Sequence, residues 1–260
     1  MQNRYVGDVG DYGKYSLLSE LGSLDSARTR LGVVWYLFPD ESHNDDGGQL
    51  SYLDQRHMAM LAPHIHERLR HIVRNGERSV RAVEETGVLP GSTFYVRDYP
   101  TPPNWQAYRP AERQEWRAQW FVKTLEATRT ASLVFLDPDN GLATRTVKRG
   151  SPKAGKYVFW DELKPFADRG QSLVVYHHLN RTAPVSKQLE ILREQLNKTV
   201  PNVPRLVPMV FRRGSCRVFW ILAQHPLADQ VNDILERFLA AGWDRHFDRP
   251  HPLEKTKLLL

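Results

Sequence analysis

Three short, continuously apolar runs set the limits on this fold: "LGVVWYLF" at 31–38, "ASLVFLD" at 131–137 and "QSLVVYHH" at 171–178. Each is too short for a helix of its own and rich in β-branched and aromatic residues. Each also lacks the polar alternation of a strand with one wet face. Such runs read as strands covered on both sides, as in the interior of an α/β sheet.

Helical periodicity fills the intervals. "DYGKYSLLSELGSL" places Leu17, Leu18, Leu21 and Leu24 on a helical stripe, and further helical patterns cover 51–62, 64–74, 77–86, 109–128, 184–198 and 226–241. A small strand, "TFYVRDY" (93–99), and two closing strands, 205–211 and 215–223, complete the pattern. The alternation predicts a Rossmann-like, mostly parallel α/β sheet ending in an antiparallel strand pair. With no repeat or convincing linker in 260 residues, a single domain is expected, carrying a helical insertion at about 50–130.

Composition narrows the partners. Thirty-six Lys and Arg against 30 Asp and Glu make the chain basic, which favours a polyanionic partner such as RNA or DNA. The single Cys216 excludes a disulfide framework and a cysteine-based zinc site. No apolar run reaches the ~18 residues of a membrane span, and the first residues carry no hydrophobic leader core, so a soluble cytoplasmic protein without membrane association is expected. Oligomeric state is not legible.

In an open sheet, ligands bind beyond the carboxyl ends of the strands, where the strand order reverses. Three predicted strands end in polar clusters: Asp40-Glu41-Ser42-His43, Asp137-Pro138-Asp139-Asn140 and His177-His178-Leu179-Asn180-Arg181. Each could be only a capped turn, since Asp, Asn and Pro are common turn formers. Three on one rim point instead to a site. A fourth cluster, "GDVGDYGKY" (7–15), combines turn-permitting glycines with Asp8, Asp11 and Lys14. Asp11 is expected to cap the following helix, and Lys14 would sit in its first turn, where the helix dipole disfavours a cation.

Taken in order, these segments resemble the S-adenosylmethionine-dependent ribosomal-RNA adenine-N6 methyltransferases. Gly7, Asp11, Lys14 and Tyr15 resemble that family's Gly-Asn-x-x-Asp-x-x-Lys-His stretch. Asp137-Pro138-Asp139-Asn140 stands where the family has Asp-Pro-Pro-Tyr, and "VVYHHLNR" and "GSCRVFWILAQHPLADQVNDILERFLAAGW" resemble its later segments. The Gly-rich cofactor loop is not matched; "YLFPDESHNDDGG" takes its place. The resemblance implies methyl transfer to a base amine of a nucleic acid. It assigns Asp137 and Asn140 to the target amine, and Lys14 and Arg181 to phosphate or substrate. Asp8, Asp11, Asp40, Glu41 and His43 would face the cofactor, with Asp40 or Glu41 on its ribose. Asn140 replaces the stacking Tyr, so Tyr176, Trp160 or Trp105 must supply a ring.

The same rim supports a second chemistry. Asp40, Glu41, Asp137 and Asp139, joined by His43, would form an oxygen-rich Mg²⁺ or Mn²⁺ site, with His177 or His178 as general base. That describes a metal-dependent nuclease or phosphoesterase. A catalytically inactive nucleic-acid-binding module is a third possibility, because the cofactor loop is unmatched.

Elsewhere, Trp116, Trp120 and Phe121 are expected to pack inward from helix 109–128, with Arg109, Arg113 and Arg117 facing solvent or phosphate. His64 and His71 read as part of a solvated basic helix.

Overall fold

A computed structural model describes residues 1–23, 30–41, 47–95 and 99–249. The first long helix, α1 (Val9–Gly22), is buried along almost its whole length, the mark of a helix enclosed on all sides. Its N-cap is Asp8, whose side chain accepts from the Gly10 N–H at 2.7 Å. Asp11, expected in that role, accepts instead from the Gly7 N–H at 3.2 Å.

The chain continues through β1 (Leu31–Trp35), then α2 (Arg56–Ala59), α3 (Pro63–Arg74) and α4 (Val80–Glu85). Next come β2 (Thr93–Tyr95), α5 (Pro110–Ala127) and β3 (Leu133–Asp137). Two-residue strands β4 (Gly141–Leu142) and β5 (Tyr157–Val158) pair in parallel as a separate small sheet. After α6 (Lys164–Asp168), β6 (Ser172–His178) and α7 (Val185–Thr199), the chain ends in β7 (Arg205–Phe211), β8 (Arg217–Ala223) and α8 (Leu227–Ala240).

The main sheet has the order β2-β1-β3-β6-β8-β7. The β2–β1, β1–β3 and β3–β6 pairs are parallel, whereas β8 runs antiparallel to both β6 and β7. The sheet is therefore mixed rather than mostly parallel. The cause is local: β7 and β8 join through a tight turn, and β8 fits between β6 and β7 instead of extending the edge. Within the 50–130 stretch, the small strand expected at 93–99 appears as β2 and forms a sheet edge.

Alternate residues of each strand point to opposite faces, so each central strand feeds two cores. Val33, Trp35, Leu133 and Phe135 pack with α1, α3, α4 and α8. Val34, Tyr36, Val134 and Leu136 pack on the other side with Trp120 of α5, Phe166 of α6 and Leu196 of α7. The result is a three-layer α/β arrangement. No helix among the described residues is long and apolar enough to cross a membrane.

Arg113 and Arg117 do not face solvent. Arg117 is 1% exposed and forms a two-point ion pair with Glu162, itself 2% exposed, through Nη2 to Oε2 at 2.7 Å and Nε to Oε1 at 2.9 Å. Arg113 is buried against the carbonyls of Gly150 and Trp105. Trp120 does pack inward, Arg109 is exposed beside Glu112, and His64 and His71 are exposed on α3.

Candidate functional site

The strand order reverses at β1: β2 lies on one side of it and β3 on the other. The connections leaving β1 and β3 therefore diverge, and the carboxyl ends of neighbouring strands open into a crevice. A cleft of about 510 Å³ opens there, within the usual range for small-ligand sites. Five segments build it: the chain from Met1 into α1, the stretch at Gly47 and Gln49, the lip after β3, the end of β6, and the turn before β8.

At its floor, Lys14 joins the first helix to the sheet. Its Nζ lies 2.7 Å from Asp11 Oδ1 and 2.7 Å from Asp137 Oδ2. Burial opposes the ammonium charge, but Asp11 and Asp137 together raise its pKa above the ordinary lysine value. Burial also pushes the Asp137 carboxyl up, against the pull of Lys14 and the N-terminal ammonium. One ammonium thus serves two carboxylates, and Asp137 is the one that burial inclines towards a proton. Lys14 lies in the second turn of α1, and these two acids offset the unfavourable helix dipole there.

The lip is fixed from both sides. The Asn140 N–H donates to the Lys156 carbonyl at 2.9 Å, and the His178 N–H donates to the Asn140 carbonyl at 3.1 Å. Gly141 has φ of +112°, and a Cβ there would stand 2.4 Å from His177 Nδ1 and 2.6 Å from its Cα, so only glycine fits. Asp139 is held through Oδ2 by Gln2 Nε2 at 2.8 Å and Lys156 Nζ at 3.0 Å. Burial would raise its carboxyl, but the N-terminal ammonium and Lys156 hold it below the ordinary range. The Met1 ammonium donates to the carbonyls of Tyr36 at 3.0 Å and Asp137 at 3.1 Å.

The sequence-predicted residues divide into two groups. Asp8, Asp11, Lys14, Asp137, Asp139, Asn140, His178 and Arg181 all line the cleft. His177 does not: its Nδ1 accepts from the Leu142 N–H at 3.0 Å, and burial depresses its pKa to about 4. It supports the lip and is poorly placed to take a proton from a ligand. Asp40 is exposed and accepts from the Arg4 N–H at 3.3 Å, while Glu41 pairs with Lys156 and Gln2; neither lines the cleft. His43 lies outside the described residues.

The proposed metal quartet is divided accordingly. Asp137 turns to Lys14, Asp139 and Glu41 share Lys156, and Asp40 stands apart. Among the described residues, no group of three or more His, Cys, Asp or Glu side chains is placed to hold a metal ion. Of the three suggested stacking rings, Tyr176 lines the cleft. Trp160 donates its Nε1–H to the Ala143 carbonyl, and Trp105 packs on Phe38.

Sequence reasoning missed Tyr5, Gln49, Ser215 and Arg217, which also line the cleft, as does Gly10 of the 7–15 cluster. The turn "RRGSCR" carried a usable signal, since a glycine flanked by three arginines is an unusual opening for a buried strand. No family model, curated protein or solved structure matches this chain.

Proposed function

We propose that this cleft binds S-adenosylmethionine and that the protein methylates an amine of a nucleic-acid base. The observation carrying this reading is that each carboxylate of the cleft already holds at least one donor from the protein, although Asp139 Oδ1 has none. Asp11 and Asp137 share Lys14, Asp139 is held by Lys156, and Asp8 accepts from two backbone N–H groups. A divalent ion would have to displace an ammonium from Asp11, Asp137 or Asp139, whereas methyl transfer to an amine needs no such exchange. The Rossmann-like reading of the sheet belongs to the same proposal, supported by the parallel strands at the switch point and the antiparallel strands at the C-terminal end.

The residues present suit the cofactor. Asp8 and Asp11 put carboxylates in the lining, whose negative potential favours a sulfonium cation. When bound, the cofactor would supply an electrophilic methyl group. Asn140 offers an amide oxygen to a target amine from a lip that cannot shift easily, and the ring of Tyr176 offers a face for a base. Asp40 and Glu41 have no part in this arrangement.

Calorimetric titration with S-adenosylmethionine and, separately, Mn²⁺ tests the reading. Cofactor binding that weakens in Asp8→Asn, a substitution that preserves the helix cap, supports methyl transfer. Mn²⁺ binding without cofactor binding would favour hydrolysis. Binding of neither, with oligonucleotide affinity retained, would leave a binding module.

A further inference from the structure

The cleft is lined by charges of both signs: Asp8, Asp11 and Asp137, and also Arg181 and Arg217, with Ser215. Arg217 opens β8, and its guanidinium is held in place before any ligand arrives. Nη2 donates to Ser215 Oγ at 2.7 Å and to the Arg213 carbonyl at 3.4 Å, and the group lies 5.6 Å from the centre of the Phe211 ring. It presses so closely on Gly10 that a Cβ there would fall 1.4 Å from Nη1.

That cation is incompletely matched. Its nearest carboxylate, Asp8, is 3.8 Å away, and both Asp8 oxygens already accept backbone N–H groups, from Gly10 at 2.7 Å and Gln49 at 3.2 Å. Arg217 Nε is buried without a hydrogen-bond partner. Arg181, in the turn after β6, is exposed and forms no ion pair with the described residues. Two guanidinium forks lining one cleft, one held in place and one exposed, suit the oxygens of a phosphate.

We propose that Arg217 and Arg181 form a phosphate seat, so that the cleft takes a phosphorylated nucleoside, as found in a nucleic-acid strand, in preference to a free base or nucleoside. The proposal deepens the nucleic-acid reading given above and rests on it. The base would lie towards Tyr176 and Asn140, and the phosphate would lie against Arg217 with Arg181 closing over it.

The test compares adenosine with adenosine 5′-monophosphate as calorimetric ligands of the full chain, with S-adenosylmethionine titrated in parallel. Wild type should bind the monophosphate about tenfold more tightly than adenosine, the scale of one charged hydrogen bond. Arg217→Gln and Arg181→Gln should each remove most of that preference, at a much larger cost in monophosphate affinity than in cofactor affinity. For a short single-stranded RNA, each substitution should also make the slope of log affinity against log salt shallower by about 0.7.

Equal affinity of wild type for the two ligands would overturn the proposal. So would a loss of cofactor affinity in Arg217→Gln matching the loss for the monophosphate, which would assign the arginines to the cofactor carboxylate. If wild type ignores the cofactor yet shows a monophosphate preference that both variants lose, the phosphate seat stands and methyl transfer falls. Should Arg217→Gln fail to fold by circular dichroism, the exposed Arg181→Gln decides.

Discussion

Lys14 Nζ stands 2.7 Å from Asp137 Oδ2, with both side chains only 4% exposed, and this contact ties α1 to the last residue of β3. Removing one partner of a buried charge pair strands the other, typically at about 3–5 kcal/mol. Lys14→Met, which strands both Asp11 and Asp137, should therefore lower unfolding free energy in urea by about 3–5 kcal/mol. Adding Asp11→Asn and Asp137→Asn should restore most of that loss, because no buried charge is then left alone.

Stability should also respond to pH through His177. Its folded-state pKa, depressed by burial to about 4, lies below the ordinary value of 6.5. Between those values the unfolded chain binds a proton that the folded chain refuses, so the contribution is complete above pH 6.5 and declines as pH falls towards 4. The full difference is worth about 3 kcal/mol. His177→Asn keeps an acceptor for the Leu142 N–H without a titrating ring, and urea melts across this window should show a flatter profile.

Gly141→Ala places a methyl group against the backbone of β6 at a φ that L residues avoid. The expected cost is about 2–4 kcal/mol, combining strain and overpacking. Because the lip would move, ligand affinity should fall even at temperatures where the variant remains folded, as calorimetry beside thermal melts can show.

Gly10→Ala makes the opposite case. The atoms in the way belong to the end of a side chain and not to backbone, and alanine favours a helix over glycine by about 1 kcal/mol. Thermal stability should change little, while the displaced Arg217 guanidinium should weaken monophosphate binding. Unchanged affinity would mean that the position of Arg217 is irrelevant to the ligand.

Much of the scaffold was legible because buried strands and helical stripes are local signals. The runs ending at Asp137 and His178 became β3 and β6, and the polar residues at their ends lie at or beside the cleft. Strand pairing is not local, so nothing in 205–223 revealed that β8 would lie between β6 and β7. Arg117 read as solvated because its partner, Glu162, is 45 positions away. The two histidines could have been separated in advance: neighbours on a strand point to opposite faces, so only one of His177 and His178 can look into a cleft on one side. The place of Asp40 and Glu41 was not legible, since it depends on how Gln2, Arg4 and Lys156 gather around them.

The bridge from Lys14 to Asp137 spans 123 positions, and that separation orders the birth of the site. During synthesis α1 emerges long before β3 exists, with Asp11 and Lys14 still facing water. Long-range pairings form late because chain entropy must be spent before they reward the fold. The pocket therefore acquires its floor only when the central sheet is assembled, and a partly made chain carries the first helix without a functional surface.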